Sequence, residues 1–183
     1  TITSVSLAAN NSTIAVTFSE SVYNTNGGSG ALEESDFAFS ISGGTATLSS
    51  ATPSSISPNS NVYTLGINLS GTPNGAEVLT VNPVDDSIYD TIGNEASTSQ
   101  SNNTATLNDQ AGPTISSVSL ASNNSSIAVT FSEAVYNTNG GSGALQASDF
   151  SFSIIGGTAT LSSATPTDIS INGNVYTLNI GLS

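Results

Sequence analysis

Apolar and polar residues alternate along several short stretches of this chain. Every second residue is apolar within residues 13–19, 37–41 and 63–69. Because successive side chains of a β-strand point to opposite faces, this spacing predicts strands with one buried face. Shorter strands are predicted at residues 2–7, 45–50, 77–82 and 103–107. No stretch has a helical period, so the chain is predicted to be all-β.

Residues that favour turns separate the predicted strands. Asn, Gly and Ser are concentrated at residues 10–12, 24–30, 43–44 and 74–75, where their backbone preferences allow the chain to reverse. Seven or eight short strands in about 110 residues fit an antiparallel β-sandwich of immunoglobulin-like type. We therefore expect this fold class.

The chain contains a long internal duplication. Residues 1–70 return as residues 114–183 at a constant offset of 113, with 56 of 70 positions identical. The sequence thus predicts tandem sandwiches: one at residues 1–110, a short joint at 111–113, and a second at 114–183. The second has no counterpart of residues 71–113, so it is expected to be truncated at its C-terminal side. Simple truncation, or strands added by a neighbouring chain, would each account for this.

Composition excludes several kinds of function. The chain has no Lys, Arg, His, Cys, Met or Trp, and its 13 acidic residues give a formal charge of −13. Such a surface repels nucleic acid phosphates, so no nucleic acid partner is expected. No apolar run approaches the roughly 18 residues of a membrane span, so no membrane insertion is expected. Without imidazole, amine or thiol groups we expect no enzyme, although a carboxylate-pair hydrolase stays open.

Several segments resemble a known protein family. Residues 13–22, 35–37, 61–65 and 90–94 are similar to the bacterial Ig-like tandem repeats of large cell-surface adhesins and other extracellular repeat proteins. Residues 108–115 resemble the acidic-Ala-Pro-Thr linkers between such repeats. The resemblance implies an extracellular β-sandwich that serves as a stalk or adhesive module. It also implies that Ca²⁺ stiffens the joints.

The carboxylates are candidate metal ligands. In an up-and-down strand order, Glu20 and the acidic loop at residues 85–95 lie at the same pole, and Asp109 lies near Glu133 at the joint. Acids crowded together without any basic residue repel one another, and a bound Ca²⁺ would relieve the repulsion. Solvated loop acids, with Asp90 capping a turn, are the alternative. The candidate calcium ligands are Glu20, Asp85, Asp86, Asp90, Asp109 and Glu133.

Two hydroxyl groups in the same loop are candidates for modification. The triplets at residues 86–88 and 90–92 look like the Asp-Ser/Thr-aliphatic O-glycosylation sequon of Bacteroidetes. Ser87 and Thr91 are therefore candidate glycosylation sites. A pattern of three residues also arises easily in a chain this rich in Ser and Thr.

These observations lead to one expected function and several alternatives. We expect a non-catalytic structural repeat module of an extracellular bacterial adhesin, stalk or filament, with neighbouring copies of the same repeat as partners. A calcium-dependent carbohydrate-binding module is an alternative, in which exposed Tyr23 and Tyr136 would stack on surface glycans, although we expect both tyrosines to be core residues. A subunit that exchanges strands with identical chains in a fibre is another, as is an accessory region beside a hydrolase.

Overall fold

The computed structural model describes all 183 residues. It contains thirteen β-strands, paired antiparallel throughout, and two one-turn 3₁₀ helices. The prediction of an all-β chain is confirmed, and the sheets are consistent with a β-sandwich. The chain divides into two compact units, Thr1–Ala111 and Gly112–Ser183. None of its helices has the length and apolar character needed to cross a membrane.

The first unit contains nine strands in three sheets. They are β1 (Ile2–Leu7), β2 (Thr13–Phe18), β3 (Phe37–Ser42), β4 (Thr47–Leu48), β5 (Ile56–Asn59), β6 (Val62–Gly66), β7 (Leu69–Ser70), β8 (Val78–Pro83) and β9 (Thr104–Thr106). The sheet orders are β1-β2-β6-β5, β3-β8-β9 and β4-β7. A 3₁₀ turn at Glu34–Asp36 leads into β3.

Apolar faces of the two larger sheets form the core of the first unit. Alternate residues of β2 and β8 are buried, as expected for strands with one face inside. Phe18, Phe37 and Tyr63 lie at its centre, with ring centroids 5.8–6.2 Å apart. The quadrupoles of aromatic rings favour such tilted and edge-on arrangements. Because both sheets contribute to one core, the unit is sandwich-like.

The observed strands differ from the predicted ones in two places. Strand β5 has no counterpart among the predicted strands; it contains Pro58, which an edge strand tolerates, and it pairs only with β6. The predicted strand at residues 63–69 is two strands, β6 and β7. The chain leaves the sheet of β2 at Gly66 and then pairs with β4 through Leu69 and Ser70.

The second unit repeats half of this architecture. Its strands are β10 (Ile115–Leu120), β11 (Ser126–Phe131), β12 (Ile169–Asn172) and β13 (Val175–Asn179), in the order β10-β11-β13-β12. A 3₁₀ turn at Ala147–Asp149 matches that of the first unit. The rings of Phe131, Phe150 and Tyr176 have centroids 5.4–6.4 Å apart, as in the first unit.

The second unit has no strand corresponding to β8 or β9, and this changes the rest of it. Residues 150–155 form no strand, although their counterpart β3 does. The reason is that β3 pairs only with β8, and an unpaired segment has no ladder to join. The aromatic residues corresponding to Phe18 and Phe37 are half-buried here, where the originals are 1% exposed.

Candidate functional site

Two loops of the first unit come together where the sequence predicts an acidic pole. The Tyr23 and Tyr89 backbones exchange two hydrogen bonds, both of 2.8 Å, which join the glycine-rich loop at residues 24–30 to the acidic loop at residues 85–95. Tyr89 also pairs with Glu95 across the acidic loop itself. These hydrogen bonds therefore hold the glycine-rich loop and the acidic loop together at this pole.

Asp90 closes the acidic loop from inside. Its Oδ1 accepts hydrogen bonds of 2.9 Å from the N–H groups of Ile92 and Asn94, and its Oδ2 accepts one of 2.8 Å from Asn94 Nδ2. The Asn94 side chain, followed by these backbone N–H groups, holds the pKa of Asp90 below its usual value. Both carboxylate oxygens are thus engaged by the loop, as the turn-capping alternative predicts.

The other acids of this loop face solvent or the loop backbone. Glu95 Oε1 accepts a hydrogen bond of 2.7 Å from the N–H of Asp86, which has the left-handed φ of 55°. Asp85 and Asp86 are exposed. Burial raises the pKa of Tyr89, and the negative charges of Asp86, Glu95 and Asp85 raise it further.

The remaining candidate calcium ligands make no hydrogen bond with the acidic loop. Glu20 is exposed, and its nearest hydrogen-bond donor is Ser19 Oγ at 3.5 Å. Asp109 belongs to the first unit, where its Oδ1 accepts a hydrogen bond of 2.9 Å from the N–H of Ala111, and Glu133 belongs to the second. The structure has no group of three or more acidic residues placed to hold a metal ion. The calcium site stays a prediction, without a ligand geometry to support it.

The candidate glycosylation sites differ in exposure. Thr91 is exposed at the tip of the acidic loop. Ser87 is half-buried, and its Oγ donates a hydrogen bond of 3.2 Å to the carbonyl oxygen of Asp85. Thr91 is accordingly the more accessible hydroxyl, and glycosylation stays a prediction.

The tyrosines beside the glycine-rich loops do not share one environment. Tyr23 is half-buried next to Tyr89, whereas Tyr136 is 51% exposed. The prediction that both are core residues is therefore wrong for Tyr136. The second unit has no counterpart of the acidic loop that covers Tyr23.

A buried carboxylate that the sequence did not single out lies just before β8. Glu77 is completely buried, and its Oε1 accepts hydrogen bonds from the N–H groups of Thr45 at 2.7 Å and Ala46 at 2.9 Å. Its Oε2 accepts one from the N–H of Asn74 at 3.1 Å. Burial by itself raises the pKa of this carboxyl, but the N–H groups of Ala46, Thr45 and Asn74 outweigh burial and lower the pKa to about 2.

The close approach of Glu77 depends on a glycine. A side chain at Gly44 would collide with the Glu77 carboxylate, and the φ of Gly44 is +59°. The sequence signals available were the Gly43-Gly44 pair and an acid at the start of a predicted strand. Neither signal predicts that the Glu77 carboxylate accepts a hydrogen bond from the N–H of Thr45, because the two residues are 32 positions apart in the sequence.

Two surface depressions of the first unit have no acid among their lining residues. One of about 270 Å³ lies between residues 10–12 and 71–73, and one of about 410 Å³ lies between residues 1–3 and 97–102. Both are lined mainly by Ser, Thr, Asn and Gln. These depressions offer hydrogen-bonding groups, and neither pairs two carboxylates.

Comparisons with protein-family models, with curated proteins and with solved structures found no match for this chain. The two units of the chain are, however, similar to each other. That similarity extends to hydrogen bonds: the N–H of Ser12 bonds Asn10 Oδ1 at 3.1 Å, and the N–H of Ser125 bonds Asn123 Oδ1 at 3.0 Å.

Proposed function

We propose that this chain is a non-catalytic structural repeat module, with immunoglobulin-like units, of an extracellular bacterial adhesin, stalk or filament. The observation that carries the proposal is where the two repeats differ. Of the 14 positions that differ, 13 are exposed or half-buried in the first unit, and Gly66 is the single buried exception. The repeats keep the residues that build the fold and vary those on its surface.

The hydrogen bonds kept between repeats also serve the fold. The N–H of Glu33 donates to Asp36 Oδ2 at 2.7 Å, and the N–H of Gln146 donates to Asp149 Oδ2 at 2.8 Å. The 3₁₀ turn is thus kept in both units, while Glu33 becomes the uncharged Gln146. A binding site used by every repeat would keep the charge at such an exposed position. Because the repeats retain the turn but not the charge, this position supports a structural role.

The charge of the chain supports an extracellular array. The formal charge of −13, with no basic residue, makes the units repel one another and keeps them soluble. In an array whose value comes from repetition, mutual repulsion favours an extended arrangement over a collapsed one. The resemblance to surface-adhesin repeats supports the same location and the same partners, namely neighbouring copies.

Single-molecule pulling on the 183-residue chain between DNA handles tests the mechanical part of the proposal. We expect the first unit to unfold in one discrete, reversible step. Its 111 residues should add about 35–40 nm of contour length, from roughly 3.3–3.6 Å per extended residue. Gradual extension without a discrete step would contradict the proposal.

Calcium and glycan measurements test the alternatives. A spacer should bind no glycan on an array, with or without Ca²⁺. If the acids serve only their own loops, melting curves in 5 mM CaCl₂ and in chelator should coincide, since 5 mM exceeds the roughly 10⁻⁴–10⁻³ M at which extracellular modules bind Ca²⁺. Specific glycan binding that chelator abolishes would instead establish the carbohydrate-binding alternative.

A further inference from the structure

Strands β5 and β12 occupy the same place in the two repeats and differ in one residue that governs strand pairing. Each lies at the edge of a four-stranded sheet, in the orders β1-β2-β6-β5 and β10-β11-β13-β12. In β5 this residue is Pro58, which has no N–H group, and in β12 it is Ile171. Proline on an edge strand hinders the addition of a further strand. The first repeat thus protects this edge, and the second does not.

The exposure of this edge is common to both repeats. In β5 and in β12 the first residue is half-buried and the next three are exposed. The first unit has this pattern although it also contains β8 and β9, to which nothing in the second unit corresponds. Its β5 pairs only with β6. The open edge of β12 therefore belongs to the architecture of the repeat and does not result from strands that the second unit lacks.

The backbone groups of β12 that point away from its sheet are those of Ile169 and Ile171. A two-residue turn joins Asn172 of β12 to its register partner Val175 of β13. In such a hairpin the residues that flank the turn exchange hydrogen bonds, and bonded and non-bonded pairs then alternate along the ladder. Ile169 and Ile171 are in non-bonded pairs, so their N–H and C=O groups face outward from the edge.

The edge formed by β12 is uncharged and has apolar side chains. Its sequence is Ile-Ser-Ile-Asn, and Ile171 is 45% exposed. Ile171 lies opposite Tyr176, which is buried, so its side chain is on the core side of the sheet. Ile169 is on the same side, opposite the buried Leu178. Because the chain has a formal charge of −13 and no basic residue, an uncharged edge is where two copies can approach with least repulsion.

We propose that β12 is a lateral contact at which two copies of this chain pair edge to edge, with the two strands antiparallel. About a twofold axis at Ser170, Ile169 of each copy lies opposite Ile171 of the other, and their outward N–H and C=O groups form reciprocal hydrogen bonds. The opposed isoleucine side chains cover each other on the core side. A second copy is the occupant, because the same strand supplies matching donors, acceptors and apolar side chains to both sides of the contact.

One acid beside β12 limits the strength of this contact. Asp168 immediately precedes the strand and is exposed, whereas the first unit has Ser55 at this position. In the proposed pairing the two Asp168 residues are about 13 Å apart along the strands, from a rise of roughly 3.3 Å per residue. This separation exceeds the Debye length of about 8 Å at 0.15 M salt, so salt screens most of their repulsion.

A single pair of these edges gives a weak contact. A strand of four residues buries much less than the roughly 1,000 Å² of a stable interface. In an array the contact would recur at each repeat without the edge proline, and linked contacts strengthen one another through their effective concentration. The inference rests on the proposed structural role for this consequence, whereas the pairing of separate chains does not depend on that role.

Sedimentation equilibrium of the intact 183-residue chain, from about 10 µM to about 1 mM, tests the pairing. We expect a reversible monomer–dimer equilibrium that shifts towards dimer as salt rises from about 0.05 M to about 0.5 M. Ile171→Pro, which introduces the residue of β5, should weaken dimerisation at least tenfold, because each copy loses an outward N–H group. Asp168→Ser, which introduces the residue of the first unit, should strengthen it.

Two further variants separate this edge from the other apolar surface of the second unit. Ile155 is 96% exposed and lies outside β12, and its counterpart is Ser42. Ile155→Ser should therefore leave dimerisation unchanged. Pro58→Ile should give the first unit an edge like that of β12, so that the chain forms oligomers larger than dimers.

Hydrogen exchange in NMR locates the contact in the parent chain. The amides of Ile169 and Ile171 should exchange more slowly as the chain concentration rises, and those of residues 150–155 should not change. This measurement decides if Ile171→Pro alters the amide shifts of Val129 and Leu178, which are buried in the second unit.

Results of several kinds would overturn the proposal. They are an absence of dimers up to about 1 mM, equally stable dimers of the parent and Ile171→Pro chains, and concentration-dependent protection at residues 150–155 in place of β12. None of these results bears on the discrete unfolding step that we expect when the first unit is pulled. Failure of the lateral contact and failure of the structural role are therefore distinguishable.

Discussion

Removal of the Glu77 carboxylate should destabilise the first unit strongly. In Glu77→Ala the N–H of Ala46 loses its acceptor at a fully buried position, which costs roughly 2–3 kcal/mol. The N–H groups of Thr45 and Asn74 are only partly buried and regain water, so each loss costs about 0.5–1 kcal/mol. We therefore expect the free energy of unfolding of the first unit to fall by about 3–5 kcal/mol.

The same carboxylate should make stability depend on pH. Its folded pKa of about 2 lies below the ordinary value of 4.5, so the unfolded state takes up its proton first as the pH falls. The stabilisation by Glu77 is thus fully present above about pH 4.5 and is lost as the pH falls towards 2. Glu77→Gln, whose amide cannot ionise, should remove this contribution at neutral pH. The difference in the free energy of unfolding between the variant and the parent chain should then shrink as the pH falls from about 4.5 towards 2.

Residue-resolved measurements are needed because the chain has two units. Urea unfolding followed through the amide signals of Leu79 and Val81 reports on the first unit, and a ¹³C titration of the carboxyl carbon reports the pKa of Glu77 directly. Glu34→Ala is the matched control, since Ala147 occupies the corresponding position in the second unit. A pKa of Glu77 at or above 4.5, or a loss of less than about 1 kcal/mol in Glu77→Ala, would refute the reasoning.

Three further predictions concern other contacts. Asn11→Ala should cost the first unit about 2–3 kcal/mol in urea unfolding, because it breaks the three hydrogen bonds with Asn108 and leaves alanine at a positive φ; a loss below about 0.5 kcal/mol would contradict this. Phe18→Ala should cost about 3–5 kcal/mol and Phe131→Ala roughly half as much, since only Phe18 is fully buried; equal costs in the same assay would contradict the difference in packing. Asp90→Ala should accelerate thermolysin cleavage within residues 85–95, while Asp85→Ala, which removes an exposed acid, should not; equal rates would show that Asp90 does not close the loop.

Local sequence was sufficient for most strands and turns of the first unit. Alternation of apolar residues predicted β2, β3 and β6, because burial of one face needs only a period of two. It failed for β5, where an edge position permits Pro58 against the local pattern.

The polar contacts of the first unit could not be predicted in the same way. Glu77 meets Thr45 across 32 residues, and Asn11 meets Asn108 across 97. An acid at the start of a strand looks locally like any solvated residue. Only the packing of the glycine turn against the start of β8 removes Glu77 from water and brings three N–H groups to it.

The duplication separates what the sequence determined from what tertiary structure decided. Residues 37–42 and 150–155 share four of six residues, and their alternation predicts a strand in both units. The first forms β3 and the second forms no strand, because only the first has β8 to pair with. The sequence determined which faces are apolar and where the chain turns, since both depend on neighbouring residues. Pairing decided which of those faces became a buried sheet, because backbone hydrogen bonds and burial need a partner from elsewhere in the chain.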